Sequence, residues 1–227
     1  MARWRIVFDL DDTLYAEREF AYSGFRAVGR WANERWGTEG LAEDMSQMLD
    51  DGHLGALFKM SFERHRPQHS DEEFTELREI YRTHDPEISL FEDARWALDH
   101  FAGRGPIGLI TDGTTAMQAT KVKALGIGER FQEIVYTHEG GGRAYHKPHP
   151  WSYERIEAVL GEGGERFVYV GDNAKKDFIT PNDRGWLSVQ VRRDGGIHDQ
   201  SVVADGGEPH HVINSLRELE ALLGDAD

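Results

Sequence analysis

Apolar residues along the chain fall in short runs that stop abruptly at acidic or small polar residues. Trp4-Arg5-Ile6-Val7-Phe8 ends in Asp9-Leu10-Asp11-Asp12, Pro106 to Ile110 ends in Thr111-Asp112-Gly113, Phe167 to Val170 ends in Gly171-Asp172-Asn173, and Leu187 to Val191 ends in charged residues. Runs of this length, rich in β-branched and aromatic residues, predict four buried strands that each lead into a loop. Between them the spacing becomes helical. Met117–Leu125 stops at Gly126, and Trp151–Leu160 follows Pro150, suited to a first helical position, and stops at Gly161. Strands alternating with helices imply right-handed crossovers, so the expected fold is α/β: a doubly wound, Rossmann-like parallel sheet with helices on both faces.

One region breaks the alternation. From Tyr15 to Asp85 there is helical spacing, as in Phe20, Phe25, Val28 and Trp31 or Phe74, Leu77 and Tyr81, but no convincing strand. Residues 16–85 are therefore read as an inserted all-helical cap, and residues 1–15 and 86–227 as the α/β core. Near the end, Ser215-Leu216-Arg217-Glu218 has the form of a capping box ahead of Leu219, Leu222 and Leu223, predicting a last surface helix. The segment Arg192 to Pro209, rich in Gly and Asp, is expected to be irregular.

Charge narrows the function classes. The 227 residues carry 41 Asp plus Glu against 26 Lys plus Arg, a formal net charge of −15, and no cysteine. Such a surface repels nucleic-acid backbones and anionic lipid headgroups. Without cysteine there is no disulfide framework, thiolate metal site or cysteine nucleophile. No stretch has the length and apolarity of a signal peptide or membrane span, so a cytoplasmic protein, monomer or homodimer, is the expectation.

In an open parallel sheet, ligands bind beyond the carboxyl ends of the strands, where strand order reverses. If the strand ends converge, Asp9, Asp11, Thr111, Asp172 and Asp177 surround one volume, and their mutual repulsion calls for a cation; Mg²⁺, held by a few carboxylates and substrate phosphate, is the ordinary one. Two carboxylates at Asp9 and Asp11 suit phosphoryl transfer, one attacking and the other handling protons. A polar turn before a helix explains the same residues. Lys147, set between His146 and Pro148 with a restricted backbone, could offset anionic charge; a solvated surface lysine is the alternative. Thr111 and the amides of Asp112 and Gly113 could donate to phosphoryl oxygens, or Thr111 or Asp112 could cap a helix. In Gly171-Asp172-Asn173-Ala174-Lys175-Lys176-Asp177, Asp172 suits a direct metal ligand and Asp177, with Asn173, a supporting shell. An ordinary acidic helix start reads the same way.

Taken in order, these four segments resemble the motifs of the haloacid dehalogenase superfamily, in its phosphatase branch: Asp9-Leu10-Asp11-Asp12-Thr13, Thr111-Asp112-Gly113, Lys147-Pro148 and Gly171-Asp172 to Asp177. Gln118, Lys121, Leu125-Gly126-Ile127, Phe131 and Ile134 are similar to the family's linker between the second and third motifs. The resemblance covers about two thirds of the chain. It implies that Asp9 is a nucleophile forming an aspartyl-phosphate and that Asp11 is the general acid, then the base. It also implies that Asp9, the Asp11 backbone carbonyl and Asp172 hold Mg²⁺, that Thr111 binds the phosphoryl group, that Lys147 offsets charge, and that Asp177 supports from behind. An acid two residues after the nucleophile is generally missing in the superfamily's dehalogenases, so Asp11 speaks for phosphate chemistry.

The insert falls where the family places a helical cap. His53, within Asp50 to Gly55, and Arg64 and Arg66 are the candidate substrate contacts there, although a glycine-rich turn explains the first, and a solvated helix face or salt-bridge partners explain the arginines. The expected activity is hydrolysis of a small phosphorylated metabolite: a sugar phosphate, an organic phosphate or a nucleoside monophosphate. A phosphomutase of the same superfamily and a non-catalytic binding protein on this fold are the alternatives. The cap, which carries the choice of substrate, does not disclose it.

Overall fold

The protein is described by a computed structural model over residues 4–224. Its regular elements run β1 (Trp4–Phe8), α1 (Glu17–Trp36), α2 (Leu41–Asp50), α3 (Leu57–His65), α4 (Asp71–Thr83), α5 (Glu92–Ala102), β2 (Ile107–Thr111), α6 (Thr115–Leu125), β3 (Glu133–Tyr136), α7 (Trp151–Leu160), β4 (Arg166–Gly171), α8 (Ile179–Asp183), β5 (Leu187–Val191), β6 (His211–Ile213) and α9 (Leu219–Gly224). Two compact units emerge: Arg18–Ile88, and the described residues up to Glu17 together with those from Ser89 on.

The second of these holds a six-stranded sheet in the order β3-β2-β1-β4-β5-β6, and every pairing is parallel. Two of the six strands escaped the sequence reading for a physical reason. Strand β3 has four residues of which only Val135 is buried, and β6 has three of which only Ile213 is. Both lie at sheet edges, where a strand needs no apolar run. The four strands that were read are the inner ones. Strand β1 buries Ile6, Val7 and Phe8, and β2 is buried along its whole length.

Helix α7 covers one part of the sheet. Tyr153, Ile156 and Leu160 pack with Val7, Ile110, Val135 and Tyr169 in one buried cluster. Gly108 permits that approach, because a Cβ there would stand 2.8 Å from Ile156 Cδ1. Helix α6 ends as its sequence predicts, at Gly126 with φ of 66°, and the Ser215/Glu218 capping box forms in full, although it opens a short 3₁₀ turn before α9.

Strand order reverses about β1, which pairs with β2 on one side and β4 on the other. The loops that follow β1 and β4 therefore start side by side, joined by a 2.8 Å bond from the Asp9 amide to the Val170 carbonyl.

The unit Arg18–Ile88 is carried by helices α1–α4. Phe20, Ala21, Phe25, Val28 and Ala32 are buried along α1 at helical spacing, and Leu41, Met45, Phe62 and Leu77 bury opposite faces from the other three helices. Ser70 and Glu73 close a reciprocal capping box at the start of α4. No described helix is long and apolar enough to cross a membrane.

Candidate active site

Three strand ends bring the chemistry together. Asp9 follows β1, Thr111 ends β2, and Asp172 follows β4, all three buried. Carboxylate oxygens of Asp9, Asp172 and Asp177 all lie within 4.8 Å of one another. This crowding is costly: burial, then Asp177 and Asp9, push Asp172 well above the usual carboxylate range. Burial, opposed by Lys147 and reinforced by Asp177, lifts Asp9 to about 7.

Lys147 meets part of that charge. Its fully buried ammonium lies 2.6 Å from Asp9 Oδ1 and 2.8 Å from Asp177 Oδ1, and donates to the Tyr169 hydroxyl at 3.0 Å. Burial alone would lower its pKa; Asp177 and Asp9 outweigh it and hold the ammonium charged. The other Asp177 oxygen accepts the Asn173 amide at 2.9 Å, so Asp177 is occupied on both sides. Asp172 differs, since its Oδ2 is buried with neither a hydrogen-bond partner nor an ion pair among the described residues. A buried carboxylate oxygen without a donor, beside the Asp9 carboxylate whose Oδ2 Lys147 leaves to other partners, fits a hard divalent cation.

Asp11 faces elsewhere. Its carboxylate takes the Lys121 ammonium at 2.6 Å, the Gln118 amide at 2.9 Å and the Tyr15 hydroxyl. Burial opposes ionisation here, but Lys121 and these hydrogen bonds outweigh it and lower the Asp11 pKa. The same Gln118 amide also donates to the Thr111 hydroxyl, tying the second motif to the first. The Asp11 carboxylate is not part of the Asp9–Asp172–Asp177 cluster.

Asp112 is the hinge of the third loop. Its carboxylate accepts the Lys147 amide at 3.0 Å and the Thr137 hydroxyl at 2.9 Å, and pairs with Lys176 at 2.9 Å. Burial opposes its ionisation, yet Lys147 and Lys176 carry its pKa below the usual range. Asp112 was singled out for its backbone amide, and the side chain proves to be the busier group. Gly113, at φ of 129°, allows the close passage of Gln118, which a Cβ would meet at 3.0 Å. His149 accepts the Trp151 amide at the head of α7.

The candidate cap residues lie in the other unit. Arg64 is paired with Asp44, Arg66 pairs with Glu73 at 2.7 Å and lies over the Trp36 ring, and His53 is exposed in the turn after α2. Both guanidinium groups are paired within that unit.

Several site residues were not singled out. Lys176 precedes Asp177 in the fourth motif. Gln118 and Lys121, read only as part of a family-like linker, are polar residues one turn apart on α6 that are almost wholly buried, a pattern that could have flagged them. Glu17 and His198 left no sequence signal, because the approach of one to the other is long-range. Asp12 has φ of 49° and accepts the amides of Glu17 at 2.9 Å and Ile197 at 2.8 Å. Burial and the Asp11 carboxylate raise Glu17 to about 8.

A sequence profile described as haloacid dehalogenase-like hydrolase matches residues 5–180. The chain belongs to that family, and it is a hydrolase. It is 29% identical over 231 residues to a glyceraldehyde 3-phosphate phosphatase of Methanopyrus kandleri, with 94% of each chain covered. It is 28% identical over 131 residues to a pyrimidine 5'-nucleotidase of Escherichia coli, covering 56% of this chain and 53% of that one. Among solved structures, a putative beta-phosphoglucomutase from Thermotoga maritima superimposes with a TM-score of 0.71 at 16% identity, over 99% of this chain and 100% of the other, a likeness of fold.

Proposed function

We propose that this hydrolase is a Mg²⁺-dependent phosphatase that removes the phosphoryl group from a small phosphorylated metabolite through an aspartyl-phosphate on Asp9. The observation that carries the reading is the buried Asp9 carboxylate, held at one oxygen by Lys147, 2.6 Å away, next to an Asp172 oxygen that no protein donor satisfies.

Asp9 attacks phosphorus as the bond to the leaving oxygen breaks, and Asp11 gives that oxygen its proton. Water then loses a proton to Asp11 and attacks the phosphoryl group, which leaves as inorganic phosphate and frees Asp9. In the free enzyme Lys121 keeps Asp11 ionised, the form that the second half-reaction needs. A phosphate anion arriving beside it favours the protonated form, which the first half-reaction needs. Thr111, with its hydroxyl fixed by Gln118, and the amides of Asp112 and Gly113 bind the phosphoryl oxygens, while Lys147 and Asp177 hold Asp9 in line. Asp9, Asp172 and the Asp11 carbonyl would hold Mg²⁺, with Asn173 and Asp177 behind them. The bound ion supplies charge neutralisation between phosphate and carboxylates.

Similarity over nearly the whole chain to a glyceraldehyde 3-phosphate phosphatase supports a short sugar phosphate as the substrate. The test is phosphate release from a panel of triose, pentose and hexose phosphates and nucleoside monophosphates, with Mg²⁺ and with excess chelator. Metal-dependent release that Asp9→Asn abolishes supports the reading. Release from no member, or release that survives Asp9→Asn, overturns it.

A further inference from the structure

The ionisable groups around Asp9 are largely spent on one another: Lys147 on Asp9 and Asp177, Lys121 on Asp11, Lys176 on Asp112. Two polar side chains beside them are not. The Glu17 carboxylate and the His198 ring make no hydrogen bond to another described residue, and their nearest polar atoms, Oε2 and Nε2, stand 4.0 Å apart, too far for a bond between them. Both are partly exposed, at 28% for Glu17 and 43% for His198.

Their proximity is built by Asp12. One of its carboxylate oxygens takes the Glu17 amide and the other the Ile197 amide, so a single side chain staples the first residue of α1 to the loop that carries His198. Asp12 does this from a left-handed backbone with φ of 49°, a conformation that costs a non-glycine residue about 1 kcal/mol. The same loop is fastened by Arg193, which donates to the Thr13 carbonyl at 2.8 Å and pairs with Asp93 at 2.8 Å. Of the charged groups around it, the Asp11 carboxylate acts most strongly on Glu17, and the Lys176 ammonium most strongly on His198. Asp12 directly follows Asp11 in the loop after β1, so the pair stands on the segment that carries the proposed acid, on a backbone held by four side-chain bonds.

We propose that Glu17 and His198 form the subsite for the carbon skeleton of the leaving group and select phosphate monoesters that carry a hydroxyl near the ester carbon. The hydroxyl donates to the Glu17 carboxyl and accepts from His198 Nε2, filling the gap between them. This deepens the phosphatase reading and rests on it. It locates part of the substrate choice in the unit that carries the chemistry.

The experiment compares kcat/KM for the best hydroxylated ester of the panel and for its deoxy counterpart, glycerol 3-phosphate and n-propyl phosphate being the simplest pair. Wild type, Glu17→Ala, Glu17→Gln and His198→Ala are assayed in Mg²⁺. The wild type should favour the hydroxylated ester by about tenfold or more, the worth of one or two hydrogen bonds in a site built for them. Either alanine variant should cut that ratio at least about fivefold while the deoxy ester stays within about twofold of wild type, and Glu17→Gln, which still accepts and donates, should retain most of the preference. An active wild type without the preference, or variants that lose both esters in parallel or neither, overturns the subsite alone. A wild type that hydrolyses no ester overturns the phosphatase reading, and the subsite with it.

Discussion

The Lys121 ammonium lies 2.6 Å from the Asp11 carboxylate, and with its side chain only 2% exposed it has no water to fall back on. Together with Gln118 and Tyr15 it fixes where the Asp11 carboxyl sits, two residues after Asp9 in the loop that follows β1. Replacing Lys121 by Met keeps volume and removes the cation, leaving the Asp11 carboxylate largely desolvated with only the neutral donors Gln118 and Tyr15. Such a change should cost about 2 kcal/mol of stability and at least about tenfold in kcat on an alkyl phosphate. The double variant Lys121→Met with Asp11→Asn should recover most of the stability and none of the activity. Recovery of activity in that double variant would show that the carboxyl is not what Lys121 serves.

Asp9 gives a prediction of the opposite sign for stability. Burial and its acidic neighbours raise it to about 7, so its charge is a cost to the metal-free fold. Asp9→Asn should therefore melt at the same temperature as wild type or higher in chelator, Lys147 keeping its 2.8 Å partner in Asp177, while turnover drops to background. Mg²⁺ should then raise the melting temperature of wild type more than that of the variant, because binding to the native state adds stability in proportion to affinity. Scanning fluorimetry with and without Mg²⁺ measures both. Equal metal shifts in the two proteins would remove Asp9 from the metal site.

How these residues read from sequence depended on range. The inner strands and helices α6 and α7 were legible because periodicity and terminal residues are local properties. The catalytic loops were legible because a strand's end is. The partners of those loops were not: Lys121 reaches Asp11 across 110 residues, and the Ile197 amide reaches Asp12 across 185, distances at which only the fold decides who meets whom. Edge strands β3 and β6 were missed for a different reason, since a half-exposed strand of three or four residues carries almost no apolar pattern. Arg64 and Arg66 read as candidate substrate contacts or as salt-bridge partners, and the partners themselves, Asp44 and Glu73, sit 20 and 7 residues away.

Asp112 sets a pH dependence. Its pKa is depressed in the folded state, chiefly by Lys147 and Lys176 against the effect of burial. A carboxyl of this kind contributes stability that is present above its unfolded pKa, about 4, and is lost as pH falls through the depressed folded value. The melting temperature of wild type should exceed that of Asp112→Asn at neutral pH, and the gap should close as pH drops below about 4. A gap that stays constant down to the acid limit would mean that the charge on Asp112 contributes nothing.

Gly171, the last residue of β4, has no room for a side chain. A Cβ there would stand 2.5 Å from Asp177 Oδ2 and 3.0 Å from its Cγ. Asp177 is itself fully buried and engaged at both oxygens, ion-paired with Lys147 at one and accepting the Asn173 amide at the other, so it has nowhere to retreat. Gly171→Ala must then either displace Asp177, loosening the grip on Lys147 and through it on Asp9, or shift the strand end that presents Asp172. Overpacking of this kind costs about 1–3 kcal/mol, and a misplacement near 1 Å at the nucleophile costs about a hundredfold in rate. The expected result is a modest loss in melting temperature with a disproportionate loss in kcat. Because Thr111 and Gly113, the proposed phosphoryl-binding donors, belong to the end of β2, KM should change much less. A variant that loses stability but keeps kcat would show that the Asp177–Lys147 contact is packing alone and does not aim the nucleophile.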